Sequence, residues 1–423
     1  MFNSDNRTVL VIGGGPAGLM AAGTAAGRGL DVTIVERNQR MARKLMITGK
    51  GRCNITNNCG IDEFIAKVPR NGRFLYSAIN LFSPQDIMAF FEENGVKVKT
   101  ERGNRVFPVS DRARDVVDAL VSFAKKSGCR FKQGRAAKLI LEDDYENNGN
   151  ICKGVALDTG EEIRADAVIV CTGGLSYPLT GSTGDGYALA RQAGHTVTPC
   201  RPSLVPLVAA EGWCQDVQGL SLKNCAVRVE DTKTGKTIFK DFGEMLFTHF
   251  GVSGPMVLSA SAHMIDMQPG RYRMFIDLKP ALAPEQLDAR LVRDLEKFKN
   301  HDFANSLGEL LPKSLCPVIV SLSGIPPRLK SHSVTKEQRR QLGALLKNLP
   351  VTIQGYRPIE EAIVTSGGVK TSEINSKTME SKLAKGLYFA GEVIDVDGYT
   401  GGFNLTIAFS TGYAAGRHVL GDL

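Results

Sequence analysis

The run Val9-Leu10-Val11-Ile12-Gly13-Gly14-Gly15-Pro16-Ala17-Gly18, an Ala/Gly-rich stretch, and then Asp31-Val32-Thr33-Ile34-Val35-Glu36 constrain the fold more than any other feature. They spell a strand, a glycine turn, a helix and a second strand that ends in a carboxylate. Gly13 permits the tight turn, Gly15 lets backbone approach a pyrophosphate, and Gly18 lets the helix lie close to the sheet. The helix start, with Pro16 and Ala17 in its first turn, offers unpaired N–H groups and partial positive charge to phosphates. Glu36 falls about 20 residues after the turn, where an acid hydrogen-bonds ribose hydroxyls. A G-x-G-x-x-G alone is a weak signal. Flanked by two strands, a helix and the acid, it implies the ADP half of a dinucleotide.

The chain has 423 residues, 43% hydrophobic and 23% charged, room for two or three domains of ordinary soluble composition. No apolar run approaches the roughly 20 residues of a membrane span. The first residues pass straight into strand one, which leaves no room for a signal peptide. Nine cysteines without C-x-x-C pairing indicate neither a disulfide framework nor a zinc site, and the six histidines show no metal spacing. The expectation is a cytoplasmic protein with reduced thiols and no metal. The net charge of +8 is compatible with an anionic partner such as RNA. Without a block of five like charges it does not demand one.

Strand and helix signals alternate through the first half. Helices are expected over 73–82, 84–94 and 111–127, the last capped by Ser110 or Asp111. Strands follow at 136–141, 154–157 and 167–171, the last apolar throughout and suited to a buried parallel sheet. From about Arg201 the texture changes to short strands at 205–208, 225–230, 237–239 and 271–276, a barrel-like pattern. Helices are then expected at 284–300, 306–311 and 336–349. The α/β texture returns near Ile353 and closes with a strand at 386–390 and a helix at 404–418. The chain therefore reads as α/β, with a Rossmann-like nucleotide-binding domain in two pieces (1–200 and 352–423). An inserted substrate domain, β-rich over 201–280 and helical over 281–351, separates them.

A second glycine system stands near the end, Leu387-Tyr388-Phe389-Ala390-Gly391-Glu392 and then Asp397-Gly398-Tyr399-Thr400-Gly401-Gly402-Phe403-Asn404. A strand ending in Gly-Glu puts a carboxylate and an N–H where ligands bind in open α/β sheets. The Gly-Gly pair lets backbone lie against a flat ring, and the following helix aims its positive end there. With the opening motif, this favours FAD. No second G-x-G-x-x-G appears, so a nicotinamide coenzyme would visit as a transient reductant.

The chain resembles the BaiN/RdsA-type FAD-dependent oxidoreductases. The resemblance rests on Gly13–Gly18, Lys50-Gly51-Arg52-Cys53-Asn54-Ile55-Thr56-Asn57, Cys171-Thr172-Gly173-Gly174-Leu175-Ser176-Tyr177-Pro178 and Thr183-Gly184-Asp185-Gly186. It continues through Leu246–Pro255, Thr365-Ser366-Gly367-Gly368-Val369 and Gly391–Asn404. It implies a glutathione-reductase or fumarate-reductase type of FAD domain carrying an inserted barrel-like and helical domain. By motif it places Gly13, Gly15, Gly18, Glu36, Lys44, Arg52, Gly173, Gly391, Glu392 and Asn404 on FAD. Arg37, Gly51, Cys53, Asn54, Thr172, Gly174, Asp185, Gly402 and Phe403 lie in or beside the same motifs. Thr183–Gly186 and Thr365–Val369 also resemble a wider group that includes fumarate reductases and ketosteroid dehydrogenases. That group adds or removes hydrogen across a C–C bond beside a carbonyl.

An alkene conjugated to a carbonyl accepts hydride at its β-carbon and a proton at its α-carbon. Such a reaction asks the protein for a donor to the carbonyl oxygen and an acid. Tyr177, after the Thr-Gly-Gly turn, His249, in Thr-His-Phe-Gly-Val-Ser-Gly-Pro, and Tyr399, in the second glycine loop, are the candidates. Tyr177 is equally readable as a packing residue, and His249 as a buried structural histidine. The family implies three activities: reduction of a steroid-like enone in bile-acid metabolism, reduction of uracil in ribosomal RNA to dihydrouridine, and oxidation of a small amine such as aminoacetone. The Ser176–Gly186 run favours the small-molecule enone over RNA, while the net charge leans mildly the other way.

Overall fold

A computed structural model describes residues 7–144 and 149–421. The first six residues, on which the signal-peptide argument turns, lie outside that range. The chain forms two compact units, one of residues 7–203 and 359–421 and one of Leu204–Pro358.

The first unit is organised by a five-stranded, wholly parallel sheet in the order 387–389, 167–170, 8–12, 31–36, 130–133. Its central strands are apolar because both faces are covered: Val9–Ile12 and Ala167–Val170 are buried throughout. The helix Pro16–Ala26 follows the first strand and the helix Phe403–His418 closes the chain. These two helices meet through small residues. A side chain at Gly412 would stand 2.4 Å from the Ala17 carbonyl oxygen, and one at Gly416 would stand 2.3 Å from that of Ala21. Glycine at both positions lets the last helix lie against the first. An antiparallel pair, Val197–Ser203 with Val364–Val369, also belongs here, with a bulge between Thr198 and Arg201.

The second unit contains a closed barrel of six strands, in the order 207–209, 251–253, 236–248, 221–231, 272–277, 349–356. Two of its strands, Ser221–Asp231 and Lys236–Thr248, run longer than the alternation foretells, because bulges at 222/225 and 229/230 break the pattern midway. Helices Pro284–Lys297, Cys316–Ser323 and Lys336–Lys347 accompany the barrel, with two shorter ones at Trp213–Asp216 and Pro255–Ser261. The expected helix at 306–311 is instead a set of turns, interrupted by Gly308 and stopped by Pro312. The helix lies at Cys316–Ser323, with Pro317 in its first turn and Gly324 ending it at φ +67°. The helix expected from Asp111 begins at Ala113 with Arg112 as its uncapped N-cap. The Asp111 carboxylate is taken by Arg52 and Lys99.

His195 sits buried in the first unit, its Nε2 2.7 Å from Ser381 Oγ and its Nδ1 3.3 Å from Glu373. Ser381 Oγ already accepts from the Leu383 and Ala384 amides, so its proton goes to Nε2 and the ring is neutral. Desolvation lowers the imidazole below its usual value of about 6.5. The unfolded chain therefore binds the extra proton first, and the stability present above pH ~6.5 is lost as pH falls through that value. Urea midpoints should decrease from pH 7.5 to 5.5, and His195→Gln should flatten that decrease. Parallel profiles for the two proteins would show that His195 carries no such linkage.

Candidate active site

The glycine turn is shaped by backbone demands. Gly13 has φ +103°, and a side chain there would lie 2.6 Å from the Cys171 carbonyl oxygen. One at Gly18 would lie 1.9 Å from the Gly13 oxygen, so helix and turn fit only as glycines. Gly15 differs: its φ is an ordinary −80°, and nothing stands within 4 Å of where its side chain would be. No side chain caps this helix start, which leaves its first-turn N–H groups without a capping partner. Glu36, buried at the end of the second strand, accepts from the Gly14 N–H at 2.7 Å and from the Asn38 backbone and side-chain N–H groups at 2.8 and 2.7 Å. Those bonds hold the turn, and spare lone pairs remain for a ribose hydroxyl. Open space at Gly15, free helix-start donors and an anchored acid fit the pyrophosphate and ribose of FAD.

The second glycine system meets the first. Gly391, at φ +78°, approaches Ala17 of the opening helix so closely that a Cβ there would be 2.8 Å from the Ala17 methyl. Glu392 is the hub of a polar network. Its Oε2 receives Lys44 Nζ at 2.8 Å, and its Oε1 receives the Thr365 N–H at 2.8 Å and Ser176 Oγ at 3.1 Å. Lys44 also donates to Ser176 Oγ at 2.6 Å. Thr365 Oγ1 accepts the Leu175 and Ser176 amides at 2.7 and 3.2 Å. Gly174 is glycine because a Cβ would sit 2.5 Å from that same Oγ1, while Gly173 takes φ +73°. The Thr172–Ser176 turn, the Thr365 strand and the Gly391–Glu392 loop are thus tied together. Ser176 and Thr365 carry no sequence signal of this role. Their partners lie up to 216 residues away, and nothing local signals the link. Thr172 Oγ1 is buried without a hydrogen-bond partner, facing Gly186.

Gly402, at φ +101°, starts the closing helix, and a Cβ there would be 2.3 Å from the backbone of Thr56. With its amide oriented to satisfy its neighbours, Asn54 accepts the Gly402 N–H at 3.0 Å. Phe403 packs on Phe64 with ring centres 5.3 Å apart. Asn404 holds its own loop, bonding the Gly398 N–H at 2.9 Å and the Gly398 carbonyl at 2.8 Å.

Other expected residues stand in different company. Arg52 follows Gly51, which turns at φ +83° with open space beside it. Its guanidinium is gripped by Glu101 and Asp111, each at 2.5 Å, and lies over the Phe107 ring at 4.1 Å. Cys53 is fully buried at φ +61°, and desolvation pushes its thiol up to about 12, so it stays protonated. Arg37 and Asp185 pair with each other at 3.2 Å, and Asp185 binds Arg135 as well at 2.8 Å. That Arg135 contact holds the Asp185 carboxyl below its usual range.

Tyr177 takes φ +53°, a strained conformation for an aromatic residue, and its ring lies 6.0 Å from Lys44 Nζ. Tyr399 is half-buried, its N–H donating to the Lys67 carbonyl at 3.0 Å. His249 lies in the second unit and is exposed rather than buried, because it occupies the turn after the strand Lys236–Thr248. There it lines a cavity of about 360 Å³ with Glu211, Phe250 and Arg357. All nine cysteines are free, and no cluster of three metal-ligating side chains occurs among the described residues. No helix among them is long and apolar enough to cross a membrane.

Gly15→Ala separates fold from ligand. The variant should unfold at the wild-type urea midpoint, yet bind FAD at least tenfold more weakly, about 1.4 kcal/mol. Calorimetric titration of apoprotein checks this, and unchanged affinity would remove the pyrophosphate from Gly15.

The model of the HI0933-like protein Rossmann domain matches residues 7–418. The 3-dehydro-bile acid delta(4,6)-reductase of Clostridium scindens is 32% identical over 420 residues, 96% of this chain and 97% of that protein. The ribosomal RNA dihydrouridine synthase of Escherichia coli is also 32% identical, over 419 residues and 97% of each chain. Among solved structures, a 3-ketosteroid delta1-dehydrogenase from Sterolibacterium denitrificans shares the fold at a TM-score of 0.52 and 12% identity. That likeness covers 98% of this chain and 99% of the other. With a family match over residues 7–418 and two relatives 32% identical across nearly its whole length, the chain belongs to the HI0933-like family of FAD-dependent oxidoreductases.

Proposed function

We propose that this protein takes electrons from NAD(P)H and uses them to saturate a C=C bond conjugated to a carbonyl, with a small-molecule enone of steroid type as substrate. The observation that carries the reading is the pair of relatives at equal identity. Their named products, a reduced bile acid and dihydrouridine, both arise by adding hydrogen across an activated double bond. Bound FAD would supply the hydride chemistry. The residues described above would do the rest. Gly15 and the helix start receive the pyrophosphate, Glu36 the ribose, and the Glu392 network fixes the turns around the ring. Tyr177, Tyr399 and His249 are the candidate proton donors of the reading. The Ser-Tyr-Pro-x-Thr-Gly-Ser-Thr-Gly-Asp-Gly run supports the steroid-like substrate.

The second reading, a uracil ring in ribosomal RNA, is favoured by the equally similar synthase and by the +8 charge. Oxidation of a small amine has no such observation behind it.

Anaerobic mixing with NADH or NADPH should bleach the flavin, and a 3-oxo-Δ4 steroid acid should then restore its absorbance. Bleaching followed by reoxidation only with uridine-containing ribosomal RNA, in a salt-sensitive manner, would select the second reading. Failure of every enone and of RNA to reoxidise the flavin contradicts both.

A further inference from the structure

Arg201 stands in the first unit on the bulge of the strand Val197–Ser203, opposite Ser366. Its Nε and Nη2 atoms are buried and have no hydrogen-bond partner. Those two N–H groups form the edge with which a guanidinium grips an oxygen acceptor in bidentate fashion. Native proteins rarely leave buried donors unmade, and an orphaned pair calls for a ligand. The neighbouring arginine shows the contrast. Arg70 donates to Ser366 Oγ at 3.0 Å and pairs with Asp395 at 3.3 Å. Asp397, also close enough to feel Arg201, accepts from Ser203 Oγ at 2.6 Å through its Oδ2, and its Oδ1 is unpartnered. Burial raises that carboxyl above its usual range.

The position matters as much as the missing partner. Pro202 lies opposite Thr365, whose N–H reaches Glu392 and whose hydroxyl holds the Leu175–Ser176 turn. Arg201 is therefore paired with the residue that follows Thr365 along that strand. We propose that Arg201 grips the carbonyl oxygen of the substrate, its Nε–H and Nη2–H donating to that oxygen as it becomes an enolate. This rests on the reaction proposed above. Hydride originating from NAD(P)H forms a C–H bond at the β-carbon, the alkene pair moves to give the enolate, and a proton then closes the α-carbon. The nicotinamide is oxidised and the alkene reduced by two electrons. The fork would meet an enone oxygen and a uracil oxygen equally well, because both become enolates. An oxygen of the flavin ring is the other acceptor of this chemistry, and the experiment separates the two.

Holoenzymes carrying Arg201→Ala and Arg201→Lys are mixed anaerobically with NADH and then with a 3-oxo-Δ4 steroid acid, or with ribosomal RNA if that is what reoxidises the wild type. The expected result is flavin reduction within about twofold of wild type in both. Reoxidation should be slower by 10²–10³ in the alanine variant, partly retained by lysine and partly restored by free guanidinium ion. Titration with para-chlorophenol supplies a second readout. The wild type should bind it as phenolate, with a long-wavelength charge-transfer band and an apparent phenol pKa below that of free phenol, and Arg201→Ala should lose both. Unchanged reoxidation in Arg201→Ala overturns the proposal. So does a shifted flavin reduction potential with normal reoxidation, which would put the arginine on the cofactor. If no acceptor reoxidises the wild type, the reaction fails as a reading, and the phenolate band alone decides whether Arg201 binds an oxyanion.

Discussion

The close approach of the first helix and the last is the contact on which the remaining geometry depends. Gly412 and Gly416 let the closing helix touch the Ala17 and Ala21 carbonyls, and Gly391 touches the Ala17 methyl. Two stretches of chain separated by nearly 400 residues become one wall. Without those glycines the loop bearing Glu392 would stand off from the helix start that Gly15 opens. Small residues do this because only an absent side chain lets two helix backbones come so near. The cost in helix propensity falls on a helix buried along most of its length, where packing rather than propensity sets stability.

Around that wall, the polar atoms are arranged in two grades. The Lys44–Ser176–Glu392–Thr365 network is satisfied and joins three loops from distant parts of the chain. Such a network fixes shape. Thr172 Oγ1 and the Arg201 fork are buried and unsatisfied. A folded protein that keeps such groups gives up stability for them, as a ligand site does. The strained backbone of Tyr177 belongs to the same region.

What the sequence made legible follows from whether a residue answers a local demand. The opening β-strand, glycine turn and helix could be read because Gly13, Gly15 and Gly18 each meet a different backbone requirement within six residues. The barrel-like character of the middle segment showed in its short alternating runs, although bulges hid how long two strands are. Arg201 could not be found this way, since a lone arginine in a polar strand carries no pattern and its meaning lies in partners it lacks. Arg52 shows the opposite case. Its motif points to the cofactor, while two carboxylates far along the chain, Glu101 and Asp111, hold its guanidinium. The same competition removed Asp111 from its expected cap. The helix Cys316–Ser323 was missed because its apolar run has no helical period to read.

The most direct measurement is the identity and amount of the chromophore released from purified full-length protein by heat, determined by absorbance and mass. The expected result is a yellow protein that yields FAD at close to one molecule per chain. A folded, colourless chain that takes up no FAD on reconstitution would contradict it.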